Sequence, residues 1–252
     1  GKAGAQVVLT VNDRPSMEGS REETIRALAS ETNLRYIDWV KSRMALADRL
    51  SGGRVGYIHL PNTAGPGNRM LQKLFYAQAN KDALIVDDRY NGGGFIPDRM
   101  IEYFSRTTIA YWARRDVESM RTPGFAHDGP KVMLMNAYSS SGGDALPYFF
   151  REAGLGKLIG TRTWGGLIGI TGGPSLVDGG TVLYPTFRIY DTEGRWVVED
   201  LGVKPDIEVY DLPERIADGG DPSIEMAVEV LLEELAARAA RRPPRPDPSA
   251  RP

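Results

Sequence analysis

An α/β fold, with a parallel sheet covered by helices on both faces, is what this sequence predicts, on three observations. Four short β-rich apolar runs recur along the 252 residues: 54–60 (RVGYIHL), 83–88 (ALIVDD), 131–137 (KVMLMNA) and 158–161 (LIGT). Between them lie segments with helical spacing. The strands are apolar at nearly every position instead of alternating, which marks strands buried on both faces, as in parallel sheets.

Taken in order, the chain opens on a strand-like stretch, 4–12 (GAQVVLTVN), with 22–28 (EETIRAL) as its hairpin mate. Two strands alone are marginal in water, so residues 1–31 are expected to be the last part of a small β module. The core follows. Its helices carry one apolar face each: Leu71, Leu74 and Phe75 in 70–79, Met100, Ile101 and Phe104 in 98–104, and Leu146, Phe149 and Phe150 in 144–153. The rhythm then changes. The run 181–191 (TVLYPTFRIYD), set between the turn signals Asp178-Gly179-Gly180 and Glu193-Gly194, is expected to form a hairpin or small added sheet. Asp221-Pro222 opens a last helix, with Asp as N-cap and Pro at the first helical position. Its stripe is Ile224, Val228, Leu231 and Leu235, and Arg238, Arg241 and Arg242 sit where the helix dipole favours cations. The core is expected to span 32–240, and 241–252, rich in Pro and Arg, to be a disordered tail. No internal repeat is visible.

Composition removes several function classes. With 31 basic and 33 acidic residues the net charge is −2, so no strong field draws the chain to nucleic acid or anionic membrane. There is no cysteine, hence no disulfide, thiolate metal site or Cys nucleophile, which fits a cytoplasmic location. No apolar run is long enough to span a bilayer, and the N-terminus lacks the pattern of a signal peptide. Of the two histidines, His59 lies in a strand-like run and His127 in a loop. Neither has carboxylates at ligand spacing, so no metal and no cofactor is expected.

Two stretches carry candidate chemistry. Residues 136–146 (NAYSSSGGDAL) place three serines where a strand gives way to a helix. A helix head has backbone N–H groups without intrahelical partners and favours negative charge, which suits a nucleophile. An ordinary N-cap with a glycine turn explains the same residues. Residues 87–95 (DDRYNGGGF) follow another strand. Gly92, Gly93 and Gly94 allow backbone N–H groups to face a cleft without side-chain obstruction. The spacing is neither a dinucleotide fingerprint nor a P-loop. Two such turns at the C-terminal ends of parallel strands would open on one crevice.

These stretches, with 160–166 (GTRTWGG) and 197–207 (VVEDLGVKPDI), resemble the core motifs of the tricorn proteases. These are a branch of the carboxyl-terminal-processing serine peptidases. The resemblance runs from about residue 32 to 235 and implies a Clp protease/crotonase-like βαβ core. It makes residues 1–31 the end of a PDZ-like module. It implies Ser141 as nucleophile, the N–H groups of Gly94 and Gly142 as oxyanion donors, and Glu199 as the acid that orients a serine, which orients a histidine base. It implies peptide or oligopeptide substrates and a hexameric homo-oligomer, with Gly92, Gly93 and Trp112 at the substrate site. Two departures matter. Where the carboxyl-terminal-processing branch carries a lysine base, Gly166 stands, so a Ser–Lys dyad is not expected. The tricorn histidine lies upstream of the PDZ module, and neither His59 nor His127 matches its motif. Trp112 occupies the place of the aspartate behind the family's preference for basic residues, with Asp116 nearby, which puts that preference in doubt. A non-catalytic peptide-binding module and another acyl-transfer enzyme on a crotonase-like fold remain as alternatives.

Overall fold

The computed structural model describes residues 1–238 and 243–247. The chain divides into two compact units, Gly1–Ser42 and Arg43–Pro252. In the first, β1 (Gln6–Val11) pairs antiparallel with β2 (Arg21–Arg26), Gln6 facing Arg26 and Val11 facing Arg21. Helix α1 (Thr32–Leu50) begins in this unit. It is 19 residues long, and the Ser30 hydroxyl accepts from its first N–H, of Thr32, at 3.2 Å.

The second unit is built on a five-stranded parallel sheet: β3 (Val55–His59), β4 (Ala83–Asp87), β7 (Lys131–Met135), β8 (Gly156–Gly160) and β9 (Ile207–Glu208), in that spatial order. Every residue of β3, β4 and β7 is buried, as strands covered on both faces require. Helix α2 (Gly65–Gln78) links β3 to β4, α3 (Pro97–Phe104) follows β4, and α4 (Gly142–Glu152) links β7 to β8. Their apolar faces meet in an aromatic cluster: Phe75 lies edge-on to Tyr103 and Phe104, at 6.0 and 6.1 Å, and Phe104 to Phe150 at 6.3 Å. A short hairpin of β5 (Ala110–Trp112) and β6 (Met120–Thr122) sits between β4 and β7 in the chain.

After β9 come a short helix α5 (Pro213–Ala217) and the helix α6 (Pro222–Ala237), which packs on β4, β7 and β8. Asp221 caps α6 through its side chain, accepting from the Ile224 N–H at 3.1 Å. Ile224, Val228 and Leu231 are buried and Leu235 half-buried. The run 181–191 differs from expectation. It forms no continuous strand and is held by isolated antiparallel bridges, Gly169 to Phe187, Ser175 to Thr181 and Tyr190 to Trp196. Pro185 explains the break, since it has no N–H to give to a ladder. Of the expected tail, 241–242 and 248–252 lie outside the described residues, and 243–247 are exposed.

Candidate active site

Because β4 and β7 are sheet neighbours, the turns after them leave the sheet side by side, and the turn after β3 joins them. The three are stitched by backbone bonds. Gly92 N donates to Pro61 O at 3.1 Å, Thr63 N to Gly93 O at 2.9 Å and Ser140 N to Asn91 O at 2.9 Å. The sequence-predicted crevice thus exists at the C-terminal ends of adjacent strands.

The three serines have different surroundings. Ser139 is fully buried, and its hydroxyl donates to Asp88 O at 2.8 Å. Ser140 contributes its backbone to the stitching. Ser141 is the N-cap of α4, with φ 55° and ψ −117°, outside the favoured regions for a residue with a Cβ. Such a backbone costs on the order of 1–3 kcal/mol and persists where the surroundings enforce it. Here Gly166 O accepts from Ser141 N at 3.2 Å, and the Ser141 carbonyl accepts from Asp144 and Ala145 at 2.9 and 3.0 Å. Ser141 alone of the three lines a cleft of about 930 Å³.

Gly94 and Gly142 line the same cleft. Neither of their N–H groups donates a hydrogen bond among the described residues. The glycines are sterically required. A Cβ on Gly142 would run into the Thr63 hydroxyl and the Gly94 carbonyl, and would stand 2.8 Å from Gly94 N. Gly94 has φ +142°, and a Cβ there would meet the Thr63–Ala64 peptide at 2.6–2.7 Å. Gly93 packs against the Ser141 turn, whereas Gly92 is exposed, and neither lines the cleft.

Glu199 is half-buried at the cleft between two residues with left-handed backbone, Val198 (φ 72°) and Asp200 (φ 65°). Its Oε2 accepts from Leu167 N at 2.7 Å and Ile168 N at 2.6 Å. Its Oε1 has no hydrogen-bond partner among the described residues. Asp144, buried in the first turn of α4, accepts from Gly165 N at 2.7 Å. Burial raises its pKa, opposed by the Thr163 hydroxyl and the Gly165 N–H. Phe149, Leu167, Ile168, Phe187 and Ile189 make the cleft walls largely apolar, and Trp164, 61% exposed, stands beside Gly166. A side chain at Gly166 would collide with the Trp164 ring, and no lysine lines the cleft.

The remaining candidates lie elsewhere. Trp112 is on β5, exposed, and does not line the cleft. His59 is buried, its Nε2 on Arg89 O at 3.0 Å, and His127 is buried with Nε2 on Lys81 O at 3.0 Å. Neither histidine reaches the cleft wall. Among the described residues no group of His, Asp and Glu could hold a metal ion. No helix there is long and apolar enough to cross a membrane. Sequence reasoning missed Trp164 and the apolar walls. Ala145 and Phe149, four and eight residues after Ser141 on α4, were the available signal for one wall.

A serine at a strained strand-to-helix turn faces an open cleft beside two backbone N–H groups that have no hydrogen-bond partner among the described residues, an arrangement suited to holding a developing negative charge. The chain belongs to peptidase family S41, whose family model matches residues 54–209. It is 36% identical to the tricorn protease of Thermoplasma acidophilum over 226 residues, 90% of this chain and 21% of that protein. It is also 36% identical to tricorn protease homolog 1 of Streptomyces coelicolor, over 97% of this chain and 23% of that protein. The crystal structure of the tricorn protease superposes with a TM-score of 0.87 at 34% identity, covering 93% of this chain and 23% of that one. The chain therefore spans about a fifth to a quarter of the length of these relatives.

Proposed function

We propose that this chain is the nucleophile-bearing core of a serine endopeptidase that hydrolyses peptides or oligopeptides. The observation that carries the reading is the approach of the Ser141 turn to two unpaired N–H groups, of Gly94 and Gly142, on one open cleft. The Ser141 hydroxyl oxygen bonds to the scissile carbonyl carbon and gives its proton to a base. The carbonyl π pair moves onto oxygen, where the Gly94 and Gly142 N–H groups hold the charge, a contribution of on the order of 3 kcal/mol per donor. Collapse breaks the C–N bond, and the base returns the proton to the departing amine. Water then repeats the sequence on the acyl-enzyme.

The base is a histidine from outside this chain. Both of the chain's histidines are buried and committed to backbone carbonyls, away from the cleft. The unpartnered Oε1 of Glu199 is placed to accept a hydrogen bond from the group that orients this base. We read residues 1–31 as the end of a PDZ-like module, and the working enzyme as a homo-oligomer, on the resemblance to tricorn proteases. A non-catalytic peptide-binding module is the second reading, favoured by the seclusion of both histidines. A fluorophosphonate probe applied to the protein with its base in place decides between them. The peptidase reading expects one labelled serine, lost in Ser141→Ala and kept in Ser140→Ala. Absence of labelling, or labelling that survives Ser141→Ala, overturns it.

A further inference from the structure

Two buried residues beneath the cleft connect the glycine turn to the serine turn. Asp88 and Asn91 are both fully buried. Asp88 Oδ1 accepts from the Asn91 side-chain nitrogen at 2.8 Å. The Asn91 side-chain oxygen accepts from Gly93 N at 2.8 Å, and its backbone oxygen accepts from Ser140 N at 2.9 Å. The head of α4 rests on the same residue: a Cβ on Gly143 would stand 2.6 Å from Asn91 O and 2.9 Å from Asn91 Cβ.

An asparagine amide has one donor end and one acceptor end, and turning it over exchanges them. With the amide reversed, its NH₂ would face the Gly93 N–H, donor against donor. Asp88 Oδ1 accepts from the amide nitrogen and so fixes which end of Asn91 is which. Gly93 is held on its other side, where its carbonyl accepts from Thr63 N at 2.9 Å. In a trans peptide the N–H points opposite to the carbonyl, so the Gly94 N–H is aimed away from Thr63. The orientation of that N–H is therefore set by bonds at Gly93, one of which depends on Asn91 and, through it, on Asp88.

We propose that Asp88 is a positioning residue: by fixing the Asn91 amide it sets the Gly93–Gly94 peptide against the Ser141 turn. The inference rests on the reading of Ser141 as nucleophile and the Gly94 N–H as oxyanion donor. The carboxyl has no ion-pair partner among the described residues, and its Oδ2 has no hydrogen bond. Burial pushes its pKa well up, with the Asn91 amide opposing and the charges of Asp87 and Asp144 adding to the rise. Asparagine keeps an acceptor at Oδ1 and removes the charge, so it separates the acceptor's contribution from the charge's.

The test has two arms. In the complete enzyme, Asp88→Ala is expected to lower kcat about 10- to 100-fold with KM within about threefold, as a displaced donor acts on the transition state. Asp88→Asn is expected to keep kcat within about threefold of wild type. In this chain alone, Gly93 amide hydrogen exchange should quicken about tenfold or more in Asp88→Ala relative to Val86, and stay unchanged in Asp88→Asn. Asp88→Ser serves where the alanine variant does not fold, with the same expectations. Wild-type kcat in Asp88→Ala, equal losses in the alanine and asparagine variants, or unaltered Gly93 exchange would overturn the proposal. An enzyme without Ser141-dependent turnover would instead overturn the catalytic reading, and the exchange arm would still decide the clamp.

Discussion

Ser139, Ser140 and Ser141 carry the same hydroxyl, and their environments assign them different work. Ser139→Ala removes the donor to a buried carbonyl of Asp88, so it should cost about 1–3 kcal/mol of stability, read as a lowered unfolding midpoint, while Ser141 still labels. Gly142→Ala acts the other way. Its Cβ has no room between Thr63 and Gly94, so the two turns must part, and kcat should fall about 100-fold, the scale of one lost oxyanion donor. Wild-type turnover in that variant would show that the close approach is dispensable. His59 gives a pH signature. Burial lowers its pKa below 6.5, opposed by Asp87 and the Arg89 carbonyl. A histidine held neutral in the fold contributes stability that is present above pH 6.5 and is lost as pH falls through that value towards its folded pKa. Wild type should therefore lose stability below pH 6.5, and His59→Gln, which can still donate to Arg89 O, should flatten the loss in denaturation curves taken from pH 7.5 to 5. At this scale the meeting of Ser141, Gly94, Gly142 and Glu199 on one cleft could be anticipated because ordered motifs mark them. Asp88 and Asn91 sit in one of those motifs, yet their work depends on which way an amide points, and no spacing encodes that.

The elements are tied together around Arg89. Its guanidinium meets Asp87 at 2.6 Å, Asp211 at 2.7 Å and Asp221 at 2.9 Å, and Arg43 adds a second cation on Asp221 at 3.2 Å. Asp221 is also the N-cap of α6, and Tyr57 on β3 donates to Asp87 at 2.6 Å. One buried cation thereby joins β3, β4 and the head of α6, immediately before the glycine turn. Burial would raise the Asp87 pKa, but the charge and hydrogen bonds of Arg89 outweigh it and hold the carboxyl below its usual value. Arg89→Met leaves carboxylates buried without their partner, so a loss of about 3–5 kcal/mol is expected in chemical denaturation. A loss below about 1 kcal/mol would mean that the cluster is not the tie described. Four of the five sheet strands and α2, α3, α4 and α6 could be read from apolar periodicity, with boundaries shifted by up to five residues, whereas the two-residue β9 could not. Helix α1 carries a weaker signal: Tyr36, Trp39, Val40, Met44 and Ala47 recur at helical spacing and residues 32 to 50 hold no Gly or Pro, but Leu34, Ile37 and Leu50 are exposed. The run 181–191 misled in the opposite sense, because β-propensity says nothing of the pairing that Pro185 interrupts.

For the whole molecule, the cleft and the source of the base decide function. The cleft walls are largely apolar, with Phe149, Leu167, Ile168, Phe187 and Ile189 beside the charged Asp98, Arg188, Glu199 and Asp200, and Trp112 is not among the lining residues. Apolar burial is worth roughly 1.5–3 kcal/mol for a large side chain, so peptides with Leu or Phe at the cleaved bond should exceed Arg or Lys analogues in kcat/KM. A clear preference for the basic series would contradict this view of the walls. The fold could be read from the sequence because alternating strands and helices leave few topologies. The walls could not, because they come from segments far apart in the chain, Phe149 on α4 and Phe187 in a bridged loop.

A serine hydroxyl without a positioned base lacks a contribution of about 10²–10⁴-fold, and what remains is oxyanion stabilisation and binding. The most direct measurement is turnover of a fluorogenic peptide by this chain, alone and with an upstream segment carrying the candidate histidine, each with and without Ser141→Ala. The account predicts a barely detectable rate from the chain alone and a large increase on adding the segment, abolished by Ser141→Ala. Full activity from the chain alone, or activity that survives Ser141→Ala, would contradict it.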